Sequence, residues 1–150
     1  MSGGLDSCVA TAVALQEYEV FGLHCSYGQR TEKQELKMFN AQADFFKLSD
    51  RLVVDLDYFG QIGGSALTDA TIAVPQNNPF SEDIPVTYVP FRNTNFIAIA
   101  TSWAEVVGAQ RIFIGAVWQD GSGYTDCSPD YFKTMNRLID EGTRPSTQIV

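Results

Sequence analysis

The chain has 150 residues, 45% of them hydrophobic and 19% charged, with a formal net charge of −8. A fold of that size hides roughly 70% of the surface its unfolded chain exposes, so it can build a real core. Its longest apolar runs, such as "FIAIA" and "RIFIGAVW", are far too short to span a bilayer, and its acidity opposes diffuse binding to a phosphate backbone.

A membrane and a nucleic acid are therefore not expected as partners. A single nucleotide is not excluded, because local backbone N–H groups can outweigh the global field. Three cysteines, Cys8, Cys25 and Cys127, are odd in number and widely spaced. With no secretory leader at the start, they fit a reducing cytoplasm better than a disulfide framework. No C-x-x-C pair suggests zinc, so no metal site of the four-cysteine type is expected in these residues.

Residues 5–17, "LDSCVATAVALQE", place Leu5, Val9, Ala12, Val13 and Leu15 around one broad helical face. "VFGLHC" reads as a buried strand, with His24 in it packed rather than catalytic. "RTEKQELKMFNAQADFFKL" returns to helical spacing through Leu36, Phe39, Ala43 and Phe46, and "RLVVDL" is again a strand. Residues 57 to 91 hold four prolines and several turn formers, and read as a long loop with at most one short helical piece. Then "NTNFIAIATSWAEVVGA" is a helix, "RIFIGAV" a strand, "WQDGSGYTDCSPD" a loop and "YFKTMNRLIDEG" a helix. The order α-β-α-β-loop-α-β-loop-α predicts one α/β domain over 1–150, with a doubly wound parallel sheet covered on both faces.

The first seven residues, "MSGGLDS", have the character of a phosphate-binding turn. Gly3 and Gly4 let the backbone curl around an anion with N–H groups pointing inward. A helix from about Leu5 adds its positive end, and Ser2 and Ser7 supply hydroxyls that can reach phosphate oxygens. Neither the Walker A spacing with its lysine nor the Rossmann G-x-G-x-x-G is present. A flexible start followed by an Asp6–Ser7 helix cap is the bland alternative.

Three later segments fall at strand ends or helix starts, where a doubly wound sheet binds ligands. "SYGQR" offers the ring of Tyr27 and the forked cation of Arg30. "YVPFRN" puts Arg92 and Asn93 at a helix N-terminus, where a cation is disfavoured unless an anion is nearby. "GAVWQDGSGYTDC" is rich in glycine and polar groups. Singly, each segment also reads as a turn, a cap or a surface loop.

"SGGLDS" matches the S-G-G-x-D-S signature of the PP-loop ATP pyrophosphatases. Together, "SGGLDS", "YGQR", "VPFRN" and "SGYTDC" resemble, in order, the motifs of the 7-cyano-7-deazaguanine synthase family, with Ser26 in place of the usual Asp and Thr125 in place of the usual Pro. The resemblance implies an adenine-nucleotide alpha-hydrolase-like fold and a ligase that joins 7-carboxy-7-deazaguanine and ammonia at the expense of ATP and Mg²⁺. The acid and then the amide are adenylated, and the nitrile is the product. By the same resemblance Ser2, Gly3, Gly4, Leu5, Asp6, Ser7, Cys8, Tyr27 and Arg30 bind ATP. Arg92, Asn93, Ser122, Gly123, Tyr124, Asp126 and Cys127 bind the deazaguanine, and Asp6, Ser7 and Arg92 take part in catalysis. As a nucleophile Cys127 lacks a base beside it.

The family's first strand and its C-terminal zinc-binding cysteine cluster have no counterpart here, so the chain reads as truncated at both ends. A missing strand would leave sheet edges exposed, and a homodimer is one way to cover them. Two other readings share the loop. One is a different PP-loop enzyme of the tRNA thiolase or synthetase type, although a thiolase calls for basic patches and paired cysteines. The other is a nucleotide-binding fragment without turnover.

Overall fold

The computed structural model describes residues 1–69, 71–73, 85–116, 118 and 124–145. They fall into two compact units, one holding residues 1–69, 71–73, 86–89 and 113–116, the other residues 85, 90–112, 118 and 124–145. No helix among the described residues is long and apolar enough to cross a membrane.

The first unit runs α1 (Leu5–Ala14), β1 (Phe21–Ser26), α2 (Glu32–Phe46), β2 (Asp50–Asp55) and α3 (Tyr58–Ile62). β1 and β2 pair in parallel, in register from Phe21↔Asp50 to Ser26↔Asp55, with α2 as the crossover that a parallel pair requires. This is the α/β pattern the alternating periodicity predicts. α2 presents the expected face: Phe39 and Ala43 are completely buried, Leu36 and Phe46 half-buried. The Phe39 ring stacks on the His24 imidazole of β1, centroids 5.2 Å apart and planes 25° apart. Burying a ring of that size contributes about 1.5–3 kcal/mol.

His24 is itself almost wholly buried, as a packed residue should be. Its Nδ1 lies 2.8 Å from the Met1 carbonyl, which can only accept, so Nδ1 carries a proton. Residues 57–91 contribute only α3 as regular structure among those described, and residues 65–69 fold into a turn with Ser65 and Ala66 fully buried.

Two expectations fail. The stripe predicted to be the buried face of α1 is its outer face: Leu5 is 78% exposed, Val9 53% and Val13 52%. The buried residues are Thr11 and Ala14, on the opposite side of the helix. Periodicity locates an apolar stripe, but a stripe is buried only where another element covers it. The run "RIFIGAV" is not a strand over residues 111–116. A short apolar run becomes a strand only where a neighbour completes its N–H and C=O groups, and among the described residues the only ladder is β1–β2.

The second unit holds α4 (Arg92–Val107), a 3-10 turn (Thr125–Cys127) and α5 (Pro129–Gly142). α5 starts earlier than predicted because Ser128 caps it, accepting the Tyr131 N–H at 3.1 Å, with Pro129 in its first turn. Ile97 and Ala104 of α4 meet Met135 and Ile139 of α5 in a core flanked by Ala109, Ile112, Tyr131 and Phe132.

Replacing Phe39 with Ala should cost about 3–5 kcal/mol. Val9→Ser, on the exposed stripe, should change stability by no more than about 0.5 kcal/mol. Urea denaturation followed by circular dichroism compares the two.

Candidate functional site

The opening loop is fastened at its root to β1. The Met1 amino group donates to the Leu23 carbonyl, and the Met1 carbonyl accepts from His24. The chain then turns through Gly3 at φ +77°. A Cβ on Gly3 would lie 2.5 Å from Met38 Cβ, 2.9 Å from the Phe39 nitrogen and 3.0 Å from the Glu35 carbonyl oxygen. Only glycine lets the loop rest on α2 in this conformation. Gln42 of α2 adds a hydrogen bond, its Nε2 donating to the Gly3 carbonyl at 2.8 Å.

The serines brace the same turn. Ser2 Oγ accepts the Gly4 N–H at 3.2 Å, and the Ser7 hydroxyl donates to the Gly4 carbonyl at 3.0 Å. The α1 ladder opens with Cys8 N–H to Gly4 carbonyl at 3.1 Å. The N–H groups of Leu5, Asp6 and Ser7 precede that bond and form the positive end of the helix dipole. Asp6 is exposed in this first turn and Cys8 is half-buried. Residues 113–116 pass directly alongside, since a Cβ on Gly115 would lie 2.9 Å from the Asp6 carbonyl carbon and 3.0 Å from the Ser7 nitrogen.

Tyr27 and Arg30 follow the carboxyl end of β1. The Tyr27 ring is buried edge-on against Phe59, centroids 6.2 Å apart, so it belongs to the core of the first unit. Its N–H donates to Gln29 Oε1 at 2.8 Å, and Gln29 Nε2 donates to Glu35 Oε2 at 3.0 Å. The exposed Arg30 guanidinium donates from Nη2 to the carbonyls of Asp69 (3.2 Å) and Ile72 (2.9 Å), and the Arg30 N–H donates to the Leu67 carbonyl at 3.2 Å. Arg30 thus ties Leu67, Asp69 and Ile72 to the end of β1.

In the second unit the structure brings Arg92, Asn93, Asp126 and Cys127 together. Phe91, at φ +59°, is the residue before α4, an uncommon conformation for a bulky side chain. The Asn93 N–H donates to Asp126 Oδ2 at 3.0 Å, and its Nδ2 donates to the Asp126 carbonyl at 2.9 Å and to Cys127 Sγ at 3.3 Å. Asn93 and Asp126 are both buried, so these bonds offset a desolvation cost that an unpaired amide or carboxylate would bear in full. Asp126 acts as a remote cap on α4, its carboxylate at the positive end of the helix. Burial pushes the Cys127 thiol up, and the Asp126 charge pushes it further; the Asn93 hydrogen bond and the Arg92 charge oppose them. The half-buried Arg92 guanidinium lies 5.9 Å over the Phe96 ring. Tyr124 is half-buried just before the 3-10 turn, and Ser122 and Gly123 lie outside the described residues. Among the described residues no group of three or more His, Cys, Asp or Glu side chains is placed to hold a metal ion.

Compared with protein-family models, residues 1–150 match the family described as "Queuosine biosynthesis protein QueC". The chain belongs to this family. It is 49% identical to the 7-cyano-7-deazaguanine synthase of Chlorobium chlorochromatii over 150 residues, covering 99% of this chain and 66% of that protein. It is 50% identical to the enzyme of the same name from Chlorobaculum tepidum, with the same coverage. With that of Acidobacterium capsulatum it shares 51% over 148 residues, 96% of this chain and 65% of the relative. The chain spans about two thirds of the length of the curated relatives it matches.

Sequence reasoning names the residues of the opening loop and of the Asn93–Asp126 cluster but misses their supports. Gln42 lies three residues beyond Phe39, on the same face of α2, and a polar residue beside a core position was the available signal. The Gln29–Glu35 bond had none, because its partners are six residues apart across a helix start.

Gly3→Ala should cost about 2 kcal/mol or more through the positive φ and the clash with Met38, read by denaturation. Asp126→Asn should cost about 1 kcal/mol through the lost charge at the α4 terminus. It should also lower the Cys127 pKa while leaving it above an ordinary thiol, since burial, the larger cause, remains. The pH dependence of Cys127 alkylation measures that shift.

Proposed function

We propose that this chain supplies the nucleotide-binding and substrate-binding segments of a cytoplasmic 7-cyano-7-deazaguanine synthase, an ATP-dependent carbon–nitrogen ligase. The complete fold on this reading is one ATP-binding domain with a doubly wound parallel sheet of the PP-loop type. A carboxylate oxygen of 7-carboxy-7-deazaguanine attacks the α-phosphorus of ATP and pyrophosphate leaves. Ammonia then attacks the acyl carbon, AMP departs and an amide forms. The amide oxygen attacks the α-phosphorus of a second ATP, pyrophosphate leaves, and loss of AMP and of the nitrogen-bound protons gives the nitrile.

The observation that carries this reading is the S-G-G-x-D-S loop. Gly3 seats it on α2 and leaves the N–H groups of Leu5, Asp6 and Ser7 ahead of the first helical bond. Donors fixed in that way suit a leaving group whose negative charge grows in the transition state, because they need no reorganisation as it develops. Magnesium, when bound with ATP, spreads the phosphate charge, and Asp6 is the carboxylate we assign to it.

Arg92, Asn93, Tyr124, Asp126 and Cys127 are assigned to the deazaguanine, whose guanine-like edge presents N–H donors suited to a carboxylate. Because Asp126 Oδ2 already accepts from Asn93, this assignment leaves Oδ1 for the ligand. A homodimer completes the proposal, as a means of covering exposed sheet edges.

The test is pyrophosphate release with ATP, Mg²⁺ and ammonia, with and without the carboxylated deazaguanine. Release that depends on the acid is the expected result. Release with other acids but not this one would point to a different PP-loop enzyme, and ATP binding without release to a nucleotide-binding fragment.

A further inference from the structure

Gln42 is the one side chain of α2 that bonds directly to the backbone of the opening loop, its Nε2 reaching the Gly3 carbonyl at 2.8 Å. The bond falls on the residue with φ +77°, where the chain reverses toward α1. The orientation of the amide is set by its partner: a flipped Gln42 would oppose two carbonyl oxygens. The other end of the same amide makes no bond. Gln42 Oε1 is buried with no hydrogen-bond partner among the described residues. A buried acceptor without a donor opposes folding, and a methionine of similar volume would fill this site on α2 without that cost. For packing alone the amide is thus a poor choice, and its one satisfied bond goes to the loop.

We infer that Gln42 is a positioning residue for the nucleotide loop. It holds the Gly3 carbonyl against α2, so that the N–H groups of Leu5 to Ser7 are aimed before a phosphate arrives. The inference rests on the nucleotide reading above. Contact with Met38, Phe39 and Glu35 limits how closely Gly3 approaches α2, and the Gln42 bond fixes which way its carbonyl turns. With the carbonyl held, the Gly4 N–H meets Ser2 and the Gly4 carbonyl receives Cys8 and Ser7.

Two variants of nearly native shape test this in the full chain. Gln42→Met removes both the donor and the orphaned acceptor, and Gln42→Glu replaces the donor with a carboxylate. In both, the Gly4 and Cys8 amides should exchange with solvent faster than in the native chain, while the buried Ala43 of α2 keeps its protection. Affinity for inorganic pyrophosphate with Mg²⁺ should fall about fivefold to tenfold, as expected for one lost hydrogen bond. The KM for ATP should rise by the same factor with kcat little changed. The thermal midpoint of Gln42→Met should hold or rise, which a merely structural glutamine would not allow.

Native loop exchange and native pyrophosphate affinity in Gln42→Met would overturn the inference. So would a loss confined to Gln42→Glu, which would mean charge repulsion and not a missing donor. If the native chain itself binds neither pyrophosphate nor ATP, the nucleotide reading fails. The amide exchange of the Met variant then still decides whether Gln42 sets the loop.

Discussion

The first unit depends on the seating of the opening loop and β1 on one face of α2. Phe39 lies at the centre of that contact, its ring stacked on His24 of β1 and its backbone nitrogen against Gly3. The same few residues therefore bury the crossover of the βαβ unit and fix the height of the loop. Because the loop rests on packed side chains and a helix backbone, its conformation inherits the stiffness of the core. A loop tethered only at its ends would have to be ordered by its ligand, at a cost in affinity.

The second unit solves a similar problem with polar groups. The amino end of α4 is capped by Asp126, which lies more than thirty residues further along the chain, and Asn93 returns two donors to the same turn. Buried carboxylate, helix terminus and amide satisfy one another, so none of them bears an uncompensated desolvation cost. Burial, and after it the Asp126 charge, raises the Cys127 thiol's pKa against the Asn93 hydrogen bond, which keeps that sulfur protonated and poorly nucleophilic near neutral pH.

Several residues that the sequence places in a binding site also have structural work. Tyr27 is part of the core, Arg30 holds the carbonyls of Asp69 and Ile72, and Ser2 and Ser7 brace the Gly3–Gly4 turn. Residues of this kind hold the local shape, so a substitution at any of them would perturb that shape together with any binding that depends on it. For that reason Gln42, which belongs to no motif, separates the two effects more cleanly than the motif residues do.

The amino-acid sequence alone carries the α/β character, the parallel pairing of β1 and β2, the buried face of α2 and the family. These depend on local periodicity and on short motifs, which a chain carries wherever its partners lie. It also named the residues of the loop and of the Asn93–Asp126 cluster, but not their geometry. Only the tertiary structure decided that the Leu5–Val9–Val13 stripe faces outward, that residues 111–116 form no ladder, and that Gln42 reaches Gly3. Each of these turns on what lies beside a residue in space: a stripe is buried only if something covers it, and an extended run is a strand only if a neighbour pairs with it. The glutamine became legible only when folding brought it within hydrogen-bonding distance of a carbonyl thirty-nine residues away.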